Sequence, residues 1–186
     1  FRLRALVESD ATRMCELLVG LPDIVVLGVV DHHGGPLEVH VECRGAPRMC
    51  VGCGAAGKVK DRAKVTLTDL PCFGRATEMV WHKIRLECPN PACAMKSWTL
   101  QDDRIAAPRM SLTDRAGRWV TLQVGRHGRA VSDVAFDRGC DWHTVNTAVI
   151  AYGQALIDDD PDRIGITEAL GLDETLFVKL GRFRAK

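Results

Sequence analysis

The sequence predicts an α+β protein built from several small modules, and three features lead to that fold class. Two cysteine pairs enclose a central stretch whose apolar residues alternate as they do in β-strands. Segments with the three-to-four-residue apolar period of helices lie on both sides of this stretch. No apolar run approaches the roughly 18 residues of a membrane helix, and the first residues show no signal-peptide pattern. We therefore expect a soluble, cytoplasmic protein in which small modules share the 186 residues.

Residues 1–43 are expected to form a helix followed by a β-hairpin. Asp10 is typical of a helix N-cap, and Gly20 is typical of a helix end. The predicted apolar stripe of this helix consists of Met14, Leu17 and Leu18. Two segments rich in β-branched residues, 24–30 and 37–43, enclose a glycine-containing turn, and this arrangement predicts the hairpin.

A zinc ribbon is predicted over residues 44–98. Cysteine pairs with C-x2-C and C-x4-C spacing can direct four thiolates to one tetrahedral Zn2+ ion. The four predicted ligands are Cys50, Cys53, Cys88 and Cys93. The alternatives are buried free thiols, two disulfides, or a rubredoxin-like iron site. Two strands, 58–69 and 75–87, are expected to form a thin antiparallel sheet that depends on the metal more than on an apolar core.

The remaining cysteines and three histidines are interpreted as structural or surface residues. Cys43 and Cys72 lie near enough to the predicted ligands in sequence to be kept as substitutes. The full set is Cys15, Cys43, Cys72, Cys140, His32, His33 and His40.

Formal net charge is only +1, but its distribution along the chain is uneven. The net charge is −3 over residues 1–40, +8 over 41–130 and −4 over 131–186. The basic excess of the middle region predicts a surface that faces phosphate groups, with an ordinary solvated face as the alternative. The candidate DNA contacts among the basic residues are Lys58, Lys60, Arg62, Lys64, Lys83, Arg85, Arg126 and Arg129.

A helical DNA-binding domain is predicted over residues 111–157, after a polar linker at 99–110. Its first helix begins near Ser111 to Thr113 and has an apolar side made of Leu112, Ala116, Trp119, Val120 and Val124. Two further helices follow. Ala135, Gly139 and Val145 occupy the positions where a helix-turn-helix pair needs a small residue, a left-handed turn residue and an apolar contact.

The second helix of this pair is the predicted DNA-reading element. Asp141 is expected to cap it, and Val145, Ala148, Val149 and Tyr152 are expected to face inward. The outward residues, which could contact base edges or phosphates, are Trp142, His143, Thr144, Asn146 and Thr147. Any helical hairpin can produce a similar pattern, so the neighbouring basic region contributes to the DNA-binding interpretation.

An acidic linker is expected at 158–169, followed by a β-strand within 170–186. In this strand the leucines alternate on one face, and Asp173 lies on the other.

The order of these modules resembles the N-terminal half of insertion-sequence DDE transposases that carry a zinc ribbon followed by a helix-turn-helix. The resemblance rests on the cysteine pairs, on Asp69-Leu70-Pro71 between them, on the helix pair and on Gly171-Leu172-Asp173-Glu174. It covers nearly the whole chain. It implies that 170–186 begin a ribonuclease-H-like catalytic domain. Asp173 would then be the first of three carboxylates that hold two Mg2+ ions for DNA strand cleavage and transfer.

The resemblance also implies that DNA recognition and DNA cleavage belong to different parts of the parent protein. The sequence ends 13 residues after Asp173, before the positions of the other two carboxylates. We therefore expect this portion to recognise transposon ends in double-stranded DNA at the nucleoid, without cleaving them, and the sequence leaves a homodimer open. The alternative function is that of a non-catalytic transcription regulator, derived from a transposase, with the same zinc ribbon and helix-turn-helix.

Overall fold

The structure is a computed structural model that describes residues 7–45, 48–163, 165–166 and 171. Its elements, in chain order, are α1 Ala11–Val19, β1 Ile24–Asp31, β2 Leu37–Cys43, β3 Lys58–Thr68, β4 Thr77–Glu87, β5 Ser97–Thr99, α2 Asp114–Gly125, α3 Val131–Arg138 and α4 Trp142–Asp158. The α+β class is confirmed. The strand predicted within 170–186 lies outside the described residues.

The strands form one mixed five-stranded sheet rather than a hairpin beside a thin ribbon. The order is β1-β2-β4-β3, and β5 pairs with the end of β4. The β1–β2 hairpin and the antiparallel β3–β4 pair are confirmed. Strands β2 and β4 pair in parallel from Leu37↔Thr77 to Val41↔Trp81, and this pairing was not predicted. One sheet therefore contains strands of both predicted modules.

Strand β4 is the centre of this sheet, which corrects the expectation of a ribbon with little core. Met79 and Trp81 are buried on one face, and Val80, Ile84 and Leu86 are buried on the other. Apolar residues on both faces are typical of a strand that is covered on both sides. Trp81 therefore belongs to the core, although it lies on the same face of β4 as the basic residues Lys83 and Arg85.

Helix α1 covers one face of the sheet, but with a different side from the one predicted. Asp10 caps it and Gly20 ends it in a left-handed conformation, both as predicted. The side that packs on the sheet contains Cys15 and Val19. The predicted stripe is exposed to solvent: Met14, Leu17 and Leu18 are 40%, 55% and 65% exposed. The correction has a simple cause, because the helix is short and the apolar Cys15–Val19 pair on its other side fits the sheet.

The segment 99–110, predicted to be a linker, contributes to the core. Ile105 is fully buried and Ala106 is 2% exposed. The backbone N–H of Asp114 donates to the carbonyl of Ile105 at 2.7 Å, and the Gln101 amide donates to the carbonyl of Ala106 at 2.6 Å. Three consecutive apolar residues, Ile105 to Ala107, in a polar stretch show no period, so the sequence pattern did not reveal this contact.

Helices α2, α3 and α4 pack around a second core. It contains Leu112, Ala116, Val120, Val134, Ala135, Val145 and Ala148. Helix α4 continues to Asp158, six residues beyond the last predicted inward residue, Tyr152, with Gly153 inside it. The close approach of α2 and α4 depends on Gly117, because a methyl group there would overlap the ring of Tyr152.

Asp69 joins the sheet to the helices. Its buried carboxylate accepts hydrogen bonds from the Thr113 hydroxyl at 2.7 Å and from Nε of Arg115 at 2.8 Å. Arg115 also donates to the backbone carbonyl of Val19 in α1. The bond to Asp69 raises the pKa of Arg115. One partly buried ion pair therefore contacts the sheet, α1 and α2 together.

Candidate metal centre and nucleic-acid interface

The four predicted ligands lie on two turns at one end of the sheet. In the first turn the N–H of Cys50 donates to the carbonyl of Ala55 at 2.8 Å, and Gly54 takes a positive φ of 72°. The second turn follows β4 directly, and the N–H of Cys93 donates to the carbonyl of Asn90 at 3.1 Å. Cys53 and Cys88 are 35 residues apart in the sequence. The pairing of β3 with β4 brings their two turns together.

The four sulfur atoms form a compact cluster that could hold a metal ion such as zinc. They all lie within 4.8 Å of one another. The Sγ atoms of Cys50 and Cys93 are 3.8 Å apart, and those of Cys53 and Cys88 are 3.5 Å apart. A tetrahedral Zn2+ ion with Zn–S bonds of about 2.3 Å separates its sulfurs by about 3.8 Å. The S–S bond of a disulfide is only about 2.05 Å long. The geometry therefore fits a shared metal ion and does not show the two disulfides.

Cys53 and Cys88 differ in their tendency to ionise. Hydrogen bonds from the Ala55 backbone and the Cys88 thiol lower the pKa of Cys53 to about 7. Burial raises the pKa of Cys88 to about 12. Four thiolates at this spacing would repel one another, so a cation is needed to keep them ionised together.

Gly52 lies beside the cluster. A Cβ atom at this position would lie 3.1 Å from Sγ of Cys93 and 3.3 Å from Cβ of Met95. The two cysteine turns therefore pack closely at Gly52, and a larger residue at this position would push them apart.

A second candidate site is the α3–α4 unit, which consists of α3, the turn 139–141 and α4. Gly139 ends α3 in a left-handed conformation with φ 65°. Ala135 is 4% exposed and Val145 is fully buried between the helices. The carboxylate of Asp141 accepts the backbone N–H of Thr144 at 2.9 Å, and this bond lowers the pKa of Asp141. The four structural positions predicted for this unit are confirmed.

The predicted outward residues occupy the first two turns of α4. Trp142, His143 and Thr147 are exposed, while Thr144 and Asn146 are half-buried. The Thr144 hydroxyl donates to Asp141 at 2.8 Å and therefore helps to cap the helix. The rings of Trp142 and His143 meet edge to face with centroids 5.3 Å apart.

A polar pocket of about 260 Å³ lies beside these residues. It is lined by Arg109, Met110, Ser111, Asp141, His143, Thr144 and Thr147. Arg109 was not among the sequence-predicted contacts. The sequence feature that could have indicated Arg109 as a contact is that this basic residue lies directly before the predicted helical domain. The structure also places it in a left-handed conformation, with φ 68°.

The basic residues of the sheet do not form one continuous surface. Lys64 lies opposite His82, and Arg62 opposite Ile84, on one face of the sheet. Lys83 and Arg85 lie on the other face, because alternate residues of β4 point to opposite sides. Lys58, opposite Glu87, shares the face of Lys83 and Arg85, because an irregularity between Val59 and Asp61 shifts the register of β3 at Lys60.

Several of these basic side chains already have partners. Arg62 pairs with Glu42 at 2.6 Å, and Arg85 pairs with Asp61 at 3.7 Å. The Lys83 ammonium lies 4.4 Å from the centroid of the Trp81 ring, and burial lowers the pKa of Lys83. The ammonium of Lys83 therefore already has a neighbour within the protein.

The two remaining arginine candidates lie near the helices. Arg126 follows α2 and is exposed, whereas Arg129 is half-buried and pairs with Asp137 of α3. Asp173, the candidate catalytic carboxylate, lies outside the described residues.

The chain was compared with known families, proteins and structures. No family model, no curated protein and no solved structure matches the chain. None of the helices in the described part of the chain has the length and apolar character needed to cross a lipid bilayer.

Proposed function

We propose that this chain binds duplex DNA with sequence selectivity, and that it is the end-recognition portion of a DDE transposase. The observation that carries the DNA-binding proposal is the α3–α4 unit. Its left-handed glycine, capped second helix and buried Val145 are the features of a helix-turn-helix. The first turns of α4, which such units insert into the major groove, carry polar and aromatic side chains on the solvent side.

In this proposal the first two turns of α4 contact base edges. The Asn146 amide can form two hydrogen bonds with adenine, and Thr147 offers a hydroxyl and a methyl group. Arg109 lines the same pocket as His143 and Thr147, so it is placed to contact the adjacent phosphate backbone. Arg126 is the second candidate for a backbone contact. Arg109 is proposed in addition to the basic residues that the sequence predicts.

The proposed cofactor is one Zn2+ ion bound by Cys50, Cys53, Cys88 and Cys93. It would fix the two turns at the end of the sheet and take no part in a reaction, because four thiolates leave no open position. The transposase resemblance adds a second proposal, that Asp173 binds Mg2+ together with further carboxylates of a complete catalytic domain.

The test begins with zinc-loaded protein and a pool of random duplexes, from which bound DNA is selected and sequenced. Fluorescence anisotropy then compares the selected duplex with a scrambled one. Asn146→Ala is expected to lower discrimination at one base pair by about 1–3 kcal/mol. Gln154→Ala, an exposed change at the other end of α4, is the matched control and should leave binding unchanged.

Two outcomes would contradict the proposal. The first is that no sequence is enriched in the selection. The second is that Asn146→Ala discriminates between the two duplexes as well as the unchanged protein. A transposase is distinguished from a regulator by a longer polypeptide that includes a complete catalytic domain. Strand transfer by that polypeptide, lost on Asp173→Asn, would favour the transposase.

A further inference from the structure

Two histidines meet on the face of the sheet opposite α1, where β2 and β4 pair. Nδ1 of His40 lies 2.9 Å from Nε2 of His82, and the two rings are tilted at 59°. Each residue comes from a different strand, and 42 positions separate them in the sequence. The parallel pairing of β2 with β4 is the reason that the two imidazoles meet.

A carboxylate lies beside the first of these rings. Nε2 of His40 is buried, makes no hydrogen bond, and lies 3.4 Å from Oε2 of Glu38. The negative charge of Glu38 favours the tautomer that carries the proton on Nε2 of His40. The other nitrogen, Nδ1, then turns its lone pair toward His82. The second oxygen of Glu38 contacts Nε2 of His32 at 2.8 Å, which holds the carboxylate in place.

We propose that His40 and His82 form a second metal site, which takes a divalent transition-metal ion of the Zn2+ class. The two ligand atoms are Nδ1 of His40 and Nε2 of His82, and water completes the coordination. Glu38 acts as the carboxylate behind a metal-bound histidine, an arrangement that fixes the tautomer and orients the ring. The site is independent of the four-cysteine centre and of the proposed DNA-binding function.

The distances suit this assignment. Two Zn–N bonds of about 2.0–2.1 Å that meet at the tetrahedral angle hold their nitrogens about 3.3 Å apart. The imidazole nitrogens at 2.9 Å therefore need to separate by only a few tenths of an ångström. The ion would take the place of the hydrogen bond between the two rings, and the proton on Nε2 of His82 would move through water to Nδ1 of the same ring, so that both ligands stay neutral.

The charges around the pair set the expected strength of binding. Glu42 faces His82 and favours a cation, whereas Lys64 and Arg62 face it and oppose one. Arg62 is paired with Glu42, so Lys64 is the main opposing charge. Two imidazole ligands with a nearby lysine predict a weak and readily exchanging site, in contrast to the four-thiolate centre.

The experiment uses the full chain, labelled with 15N and loaded with one equivalent of Zn2+ at the cysteines. Further Zn2+ is added, and the imidazole nitrogens are followed by long-range 1H–15N spectra. Nδ1 of His40 and Nε2 of His82 should shift together along one saturation curve that fits a single additional site. His33, whose side chain is 98% exposed, should not shift with them. The proposal is overturned if neither nitrogen responds, or if all histidines respond alike.

Substitutions provide the second arm. His82→Gln should weaken the second binding event at least tenfold, and Glu38→Gln should weaken it by about 10- to 100-fold. Lys64→Gln should tighten it, because it removes the opposing charge, while His33→Ala should leave it unchanged. Equal affinity of all four variants would also overturn the assignment. If His82→Gln does not fold, the spectra of the unchanged protein decide.

Discussion

At the scale of single residues, two glycines in the helices differ in whether a side chain would fit at their positions. Gly117 of α2 faces Tyr152 of α4 so closely that a methyl group would overlap the ring. Tyr152 is held in this position because its hydroxyl donates to Asp114 at 3.0 Å. Gly153 is the opposite case, because nothing lies within 4 Å of the position of its Cβ.

This difference predicts opposite effects for the same substitution. Gly117→Ala should lower the free energy of unfolding by about 1–3 kcal/mol, because the ring must move out of a packed position. Gly153→Ala should raise it by about 0.5–1 kcal/mol, because alanine favours the helix and meets no neighbour. Urea unfolding of both variants checks the pair. A gain in stability from Gly117→Ala would contradict the described α2–α4 packing.

A second residue-scale prediction concerns the cap of α4. The carboxylate of Asp141 accepts the N–H and the hydroxyl of Thr144, and these bonds lower its pKa below the ordinary value of 3.8. A folded-state pKa below the unfolded value means that the cap stabilises above pH 3.8 and is lost as the pH falls through the folded-state value. Asp141→Ala should therefore lower the thermal midpoint at pH 7 and have little effect at pH 2. An equal loss at both pH values would show that the carboxylate charge does not contribute.

At the scale of the elements, the important feature is how much of the sheet depends on metal. The sequence predicted that the ribbon at 44–98 is stabilised by its metal more than by an apolar core. The structure shows that Val41, Leu67, Met79 and Trp81 are buried in the sheet away from the cysteines. The two cysteine turns, 48–57 and 88–96, contribute no residue to this core. The effect of metal loss is therefore expected to be local.

Removal of zinc by a chelator tests this expectation. Amide hydrogen exchange should become faster in the two turns, at 48–57 and 88–96, and should change little in β2, in the first half of β4 or in the helices. Cys53→Ser should have the same local effect. Elemental analysis should find one zinc per chain, and iron with visible absorbance would show a rubredoxin-like site instead. Loss of protection across the whole sheet would contradict an independent core.

At the scale of the whole molecule, one partly buried ion pair joins the sheet to the helical part. Asp69 follows β3, and its carboxylate contacts Thr113 and Arg115 at the start of α2. Backbone bonds between Thr68 and both Ser111 and Thr113 lie beside it. The relative position of the cysteine turns and of α4 therefore depends on this contact.

Asp69→Ala should lower the free energy of unfolding by about 1.5–3 kcal/mol, because it removes the charge-assisted hydrogen bonds that Thr113 and the partly exposed Arg115 donate to the carboxylate. Asp103→Ala, an exposed change in the neighbouring loop, should alter it by less than about 0.5 kcal/mol. Calorimetry measures both variants. Separate unfolding transitions of the sheet and the helices in Asp69→Ala would support its joining role, and unchanged stability would contradict it.

The sequence by itself determined the features that depend on short stretches of chain. The caps at Asp10, Gly20 and Asp141 follow from local hydrogen bonds and backbone angles. The four-cysteine cluster follows from two tight turns, each of which fixes the direction of its own thiols. The hairpin β1–β2 and the α3–α4 unit join neighbouring elements, so local period and turn residues were enough to predict them.

Only the tertiary structure decided which distant elements meet. The parallel pairing of β2 with β4, the burial of Ile105 and the side of α1 that packs on the sheet depend on surfaces far apart in sequence. An apolar period shows that a face is buried, but it does not identify what covers that face. For the same reason, the meeting of His40 with His82 and the division of the basic residues between two faces could not be predicted from the sequence.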